Sequence, residues 1–477
     1  MKKFLRSLPL LFPGVLLLLS LAVVGCKEEE ATTTGPPPPI NTGSANFARY
    51  VTIGNSLTAG FQSNALSQRD QVWGFANQIA KHLGTSFEQP LIKDPGIGTR
   101  KRLVSLTGPV IVDETGVNPL DPSNNLNLGL QRPYNNLGIP GAIMFDMADT
   151  TDFAAKSLAR QNPFFALILR NPAFGKSIVA QAKALNPTFI TVWIGNNDVL
   201  GYASSGGTSG TNAGPPFGPD PPRTRPTEAV LFDVLYRAML TELKTTNAGI
   251  VVGNIPDVTS IPFFTTVPSQ GLVLTRQGQV DTLNAAYAPL GITFSLGPNG
   301  FIARTGSGSI KKLTPSEFVL LTIPQDSLRL AGWGSRVPIA SRYVLDQGEI
   351  TIVQNAISAF NASIDSLCAN RGIGVVNFNS FLATIRQNGL YISGLGTFSP
   401  SFITGGLFSY DGVHPSSRGY GIVANEIIKV INTRFSASIP LIGVSSAPGI
   451  PIGKVGEGIA QYGSLESLVD LMCGGSR

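Results

Sequence analysis

The chain has 477 residues, 43% of them hydrophobic, enough to fill one large core or two modest ones. Only 13% are charged, while 53 glycines and 35 prolines point to many ordered loops rather than long helices. The formal charge of +6 includes Lys2, Lys3 and Arg6 of an N-terminal leader, and what remains is too weak and scattered to suit nucleic acid.

Residues 1–25 read as a secretory signal, with a basic start and an apolar run from Leu8 to Val24. Pro9 and Pro13 interrupt that run, which is short for a transmembrane anchor. Leu21-Ala22-Val23-Val24-Gly25-Cys26 resembles the lipobox of bacterial lipoproteins, with Val23 where leucine is commoner. The resemblance implies lipid on Cys26 and a membrane-anchored lipoprotein of the bacterial outer membrane. Lys27-Glu28-Glu29-Glu30 resembles the acidic tag that sends some lipoproteins to the cell surface, or is a solvated charge run in a linker. Residues 26–45, with Pro36 to Pro39, have no apolar period and read as a flexible tether. Past Cys26 the thiols are Cys368 and Cys473, which could pair in an oxidising compartment. Cys368 falls on the apolar face of a predicted helix, so a single buried thiol is the reading we prefer.

Tyr50-Val51-Thr52-Ile53 is a β-branched run of the kind that makes a buried parallel strand, and Gly54 ends it. Asn55-Ser56 then sit where strand turns into helix, the place where open α/β sheets bind ligands and helix N-termini offer free N–H groups. A serine there suits a nucleophile or an ordinary helix cap. Val72 to Leu83 has helical spacing, with His82 near its end in a position that suits the helix dipole. Residues 84–132 are irregular. Tyr134 to Ala142 reads as a strand end entering a Gly-rich loop and then a helix. A helix is predicted from Phe174 to Leu185, then the strand Phe189 to Ile194, which ends in Gly195-Asn196-Asn197-Asp198. Residues 201–226 are a Gly/Ser/Pro-rich surface loop. Thr227 caps a predicted helix reaching Lys244, with Val230, Leu231, Val234, Leu235 and Met239 inward.

The strand Ile250 to Gly253 follows. From Phe263 to Val344 the alternation breaks down into short strands and turns, with one helix announced by Thr314-Pro315-Ser316-Glu317. The rhythm resumes with a helix over 349–369, apolar at Ile350, Val353, Ile357, Phe360, Ile364 and Leu367, and a strand over 374–378. The loop Tyr410-Asp411-Gly412-Val413-His414-Pro415 leads to a helix from Ser417 to Arg434. Five buried-type strands alternating with helices predict a three-layer α/β domain with a parallel sheet.

Acyl transfer needs a nucleophile, a base, a carboxylate to orient the base and donors for the oxyanion. Of two histidines, His414 lies three residues after Asp411, close enough for the carboxylate to reach the imidazole. The ordered blocks Gly-Asn-Ser-Leu, Asn-Leu-Gly-Ile-Pro-Gly, Gly-Asn-Asn-Asp and Asp-Gly-Val-His-Pro resemble the signatures of the GDSL-type SGNH hydrolases, a family of esterases, lipases and deacetylases. The resemblance implies a flavodoxin-like α/β/α fold with a five-stranded parallel sheet. It implies Ser56 as nucleophile, His414 as base and Asp411 as its carboxylate. The oxyanion donors would be the backbone N–H of Ser56, the backbone N–H of Gly141 and the Asn197 side chain. Gly141 is taken over Gly138 because the family's donor is the glycine that opens a helix. Asn55 departs from the family, which usually has aspartate there.

No metal cluster, phosphate-binding loop or cofactor fingerprint is visible, so no cofactor and no metal are expected. The organisation expected is a signal peptide over 1–25, a tether over 26–45, a hydrolase core over 46–262 and 345–440, an inserted subdomain over 263–344, and a C-terminal extension over 441–477. The insertion and the loop 201–226 are expected to flank the cleft, and their Phe217, Phe263, Phe264, Phe294 and Phe301 suit an acyl chain and internal packing equally well. The expected activity is hydrolysis of lipid or short-to-medium acyl esters by a membrane-anchored enzyme. Deacylation of a polysaccharide and a non-catalytic surface-binding lipoprotein are the alternatives.

Overall fold

The computed structural model describes residues 27–28, 40–105, 110–207 and 225–450. The leader, Cys26, most of the tether, Phe217, Cys473 and the end of the C-terminal extension lie outside the described residues.

The central sheet has five strands, all parallel: β1 (Tyr50–Gly54), β5 (Asn136–Gly138), β6 (Phe189–Trp193), β7 (Gly249–Gly253) and β8 (Gly374–Val376). Between β1 and β5 in the chain lies a separate three-stranded antiparallel sheet of β2 (Ala65–Leu66), β3 (Ile97–Ser105) and the outer strand β4 (Val110–Thr115). The order across the main sheet is β8-β7-β6-β1-β5, the doubly wound arrangement in which the sequence reverses direction beside β1. Gly54, at the end of β1, pairs with Gly138 on one side and Trp193 on the other. Ser56 therefore leaves the sheet at its topological switch point.

β1 and β6 are buried at every position, as the continuous apolar runs of a two-sided parallel sheet require. Alternate residues feed separate cores. Val51, Ile53, Ile190 and Val192 join one cluster, and Tyr50, Phe189 and Trp193 join the other. On the second face lie α2 (Phe75–His82) and α8 (Ser417–Phe435). The first face is covered by α3 (Ile178–Ala184), α5 (Ala229–Lys244) and α6 (Gln347–Ala369). All six apolar positions expected on α6 are buried, and Cys368 is a free, buried thiol on the same helix.

Four local expectations are corrected. α2 begins at Phe75, because Gly74 interrupts the run, and Val72 is exposed. α5 is rotated: Phe232, Tyr236, Met239, Leu240 and Leu243 face inward while Val230 and Val234 face water. Its aromatic side chains offer more area to bury than the valine stripe does. Glu228, not Thr227, precedes its first turn, and the Thr227 hydroxyl donates instead to Asp198. Thr314-Pro315-Ser316-Glu317 makes a turn rather than a helix. The Glu317 carboxylate does accept from the Thr314 N–H, but it also accepts from the Gln347 N–H, and Phe318–Val319 pairs with Val344–Leu345 as a strand.

Residues 267–344 gather around their own apolar cluster, built on three two-stranded antiparallel sheets and two helices, Gln277–Tyr287 and Gln325–Leu330. This segment reaches the core through Phe263, whose N–H donates to the Gly412 carbonyl at 2.9 Å and whose carbonyl accepts from the Leu321 N–H at 2.9 Å.

Candidate active site

Asn55 turns the chain from β1 into the one-turn helix α1 (Ser56–Ala59), its side-chain oxygen accepting from the Leu57 N–H at 3.0 Å. That cap uses the Asn55 side chain and leaves Ser56 to face outward at the strand end. The Ser56 N–H has no acceptor among the described residues.

The loop after Phe408 brings the base. Ser56 Oγ lies 2.8 Å from His414 Nε2, and His414 Nδ1 lies 2.9 Å from Asp411 Oδ2. The Phe61 ring packs on the imidazole with centroids 4.8 Å apart, which limits how far the ring can swing. Burial pushes the Asp411 carboxyl up. The His414 charge and the hydrogen bonds from the His414 side chain and from the His414 and Val413 N–H groups outweigh that, and they hold it down at about 2.

The second side of the site comes from the loop after β5. Gly138 and Gly141 differ sharply there. Gly138 is buried, its N–H accepted by the Asn136 side chain at 3.0 Å, and a Cβ on it would fall 2.4 Å from the Ala59 nitrogen. It is a packing glycine. Gly141 is exposed, sits at φ +80°, where a side chain is disfavoured, and its N–H has no acceptor among the described residues. It does not open a helix, since the next element is a 3₁₀ turn at Met144–Met147.

The third side is the start of α4 (Asn197–Ser204), after β6. Asn197 Nδ2 donates to the Ala142 carbonyl at 2.9 Å, which ties this element to the Gly141 loop. The next residue, Asp198, accepts from the Met144 N–H at 2.9 Å and from the Thr227 hydroxyl at 2.7 Å. Burial pushes its carboxyl up to about 7, against the pull of those hydrogen bonds and with help from the charge of Asp146. The fold thus joins Ser56, His414 and Asp411 in one hydrogen-bonded line, sets Asn197 on the same cavity as Ser56 and His414, and ties Asn197 to Ala142, the neighbour of Gly141.

Ser56, Asn197 and His414 open onto one cleft, about 770 Å³ of space that includes its open, solvent-filled mouth. Apart from Asn55, Ser56, Asn196, Asn197 and His414, its walls are almost wholly apolar. One wall is α7 (Phe378–Asn388), which presents Phe378, Phe381, Leu382 and Ile385 at helical spacing. Pro256, Val258 and Ile261, after β7, form another. Of the two roles open to the aromatic residues of the insertion, the structure shows packing: Phe263 and Phe264 are in the main core, Phe294 and Phe301 in the core of the 267–344 segment.

Two groups escaped the sequence reading. Asn196 accepts from the buried Asn55 amide at 3.3 Å, a neutral pairing that an aspartate at 55 could not make as a donor. Its signal was present in the Asn196-Asn197 pair. The turn at Ser63-Asn64, which also touches Asp411, left no pattern because the contact is made by backbone.

Among the described residues no group of histidine, cysteine, aspartate and glutamate could hold a metal ion, and no helix is long and apolar enough to cross a membrane. A family model described as GDSL-like Lipase/Acylhydrolase matches residues 50–427. No curated protein matches the chain.

Proposed function

The chain belongs to the GDSL-like lipase/acylhydrolase family, and from that premise we propose a serine hydrolase that cleaves lipid or short-to-medium acyl esters through a covalent acyl-enzyme. Ser56 Oγ attacks the ester carbonyl carbon while His414 Nε2 takes its proton. Asp411 holds the imidazole in the tautomer that keeps Nε2 free and stabilises the imidazolium once it forms. The negative charge that develops on the carbonyl oxygen is met by the N–H groups of Ser56 and Gly141 and by the Asn197 amide. Collapse of the tetrahedral intermediate breaks the ester C–O bond, and His414 returns the proton to the leaving alkoxide. Water, deprotonated by His414, then releases the acid from Ser56.

The observation that carries this reading is the unbroken line from Ser56 Oγ through the two ring nitrogens of His414 to Asp411 Oδ2, at 2.8 and 2.9 Å. The apolar walls of the adjoining cavity favour an aliphatic acyl group over the polar surface of a glycan. A fluorophosphonate should label Ser56, and Ser56→Ala should be folded, unlabelled and inactive on nitrophenyl acyl esters. Residual turnover of that variant within about tenfold of wild type rules the mechanism out. Release of acetate from an acetylated glycan in preference to acyl esters would move the substrate to polysaccharide, and complete inertness to the probe would leave a binding protein.

The lipobox-like string ending in Cys26 supports lipid on that cysteine and an anchor at the outer membrane. Protein made in its native host should partition into detergent, and Cys26→Ser should accumulate with its leader intact. Wild-type protein found in the aqueous phase refutes the anchor.

A further inference from the structure

Asp411 is held by more than its histidine. Its Oδ1 accepts from the N–H groups of Val413 at 2.8 Å and His414 at 2.9 Å, and from the Ser409 hydroxyl at 3.2 Å. All three donors belong to its own loop. Its Oδ2, the oxygen that faces the imidazole, accepts from one further donor: the backbone N–H of Asn64, at 2.8 Å. That N–H arrives from a segment 347 residues away in the chain.

The N–H points there because the turn is left-handed. Ser63 and Asn64 have φ of 49° and 62°, a region that asparagine tolerates and β-branched residues avoid. The turn is held from both sides. Towards the catalytic loop, the Ser63 N–H donates to Ser409 Oγ at 2.9 Å, and Ser63 Oγ accepts from the Tyr410 N–H at 3.3 Å. Towards β3, the Lys101 N–H donates to the Ser63 carbonyl at 2.8 Å, and Asn64 Nδ2 donates to the Thr99 carbonyl at 3.1 Å. The Asn64 side chain is itself exposed.

We propose that Asn64 is a positioning residue for the triad: its left-handed backbone aims an N–H at Asp411 Oδ2 and thereby orients the lone pair that receives His414 Nδ1–H. The proposal rests on the serine-hydrolase reading of Ser56, His414 and Asp411. With two donors converging on it, Oδ2 cannot rotate away without breaking both bonds, so the imidazole is presented to Ser56 in one orientation. The β3–β4 hairpin, outside the main sheet, becomes part of the catalytic scaffold by holding this turn.

Two substitutions separate backbone from side chain. Asn64→Gly loses the bond to Thr99 but keeps the N–H and the left-handed φ, whereas Asn64→Val loses the same side-chain bond and disfavours that φ. Asn64→Val should lower kcat on a nitrophenyl ester by about tenfold or more with KM within about twofold, and Asn64→Gly should stay within about threefold of wild type. The low-field proton resonance of the His414–Asp411 bond, with His82 the only other histidine, should shift or broaden in Asn64→Val and persist in Asn64→Gly. Should the valine variant not fold, Asn64→Ala carries the same comparison. Equal kcat and equal resonances in the β-branched (or alanine) and glycine variants overturn the positioning role. Fluorophosphonate labelling of wild-type Ser56 keeps the two readings apart: without it the triad reading fails, and with it those equalities defeat the proposal for Asn64 alone.

Discussion

Asn197 gives a side-chain N–H to the carbonyl of Ala142, 2.9 Å away, so the strand end after β6 and the glycine loop after β5 are fastened to each other directly beside Ser56. A primary amide carries two N–H groups, and this bond uses one. The other is the candidate oxyanion donor. An oxyanion exists only in the transition state, so Asn197→Ala should cut kcat by about 10² to 10³ and change KM little. The measurement is steady-state kinetics on a nitrophenyl ester, and a change confined to KM would reassign Asn197 to substrate binding.

The cavity wall makes a separate prediction about substrate length. Phe381, Leu382 and Ile385 lie within about one turn of α7 and face the free space. Leu382→Trp fills part of that space without adding charge. Each methylene that loses its place forfeits about 1 kcal/mol of transition-state binding. The ratio of kcat/KM for a decanoyl ester to that for a butyryl ester should therefore fall by about tenfold or more. An equal loss at every chain length would show that α7 does not line the acyl site.

Much of this site was legible because parallel strands buried on both faces read as unbroken apolar runs. Tyr50 to Ile53, Phe189 to Trp193 and Ile250 to Val252 announce themselves, and the polar residues that follow each must lie on one edge of the sheet. The β3–β4 hairpin was not legible, because Arg100, Lys101 and Arg102 face Glu114, Asp113 and Val112 across a ribbon largely open to water. Alternation needs a buried face to enforce it. α7 was hidden by its neighbour: Val375-Val376-Asn377-Phe378 reads as one strand, yet Asn377 accepts from the Ser380 N–H and starts the helix. The spacing Phe378, Phe381, Leu382, Ile385 was the available signal. The Asn64 contact left none, since any residue carries a backbone N–H and only the fold says where it points.

Acid should act on Asp411 in a definite direction. Its carboxyl is held down at about 2, against about 3.9 for an unfolded aspartate. A depressed value means the folded state favours the ionised form. The resulting stabilisation is present above about pH 4 and is lost as pH falls through 2. Asp411→Asn never had it. The Tm difference between wild type and Asp411→Asn should be widest above about pH 4 and should close as pH falls toward 2. The same variant should lose kcat by about 10³ to 10⁴ at neutral pH, because asparagine permits the wrong tautomer of His414. A Tm gap that widens on acidification would contradict the depressed carboxyl.

Asp198 should behave in the opposite sense. It is fully buried, and burial raises its carboxyl to about 7 despite the bonds from Met144 and Thr227. The native state then holds a proton that the unfolded chain releases near pH 4, so stability is complete below that value and drains away as pH rises through 7. Asp198→Asn cannot ionise. Its amide can still accept from the Met144 N–H through oxygen and donate to the Thr227 hydroxyl through nitrogen, with the hydroxyl proton turned elsewhere. Wild type should therefore lose Tm between about pH 4 and pH 7 more steeply than Asp198→Asn, and the variant should gain on it across that window. Glu349 also has a raised carboxyl, but it is common to both proteins and does not act on Asp198, so its share cancels in the difference. Because Asp198 anchors the Met144 end of the glycine loop, the pH dependence of kcat in the two proteins checks whether its charge reaches the site. Parallel Tm curves across that window would mean that Asp198 is ionised throughout, and that its two hydrogen bonds outweigh its burial.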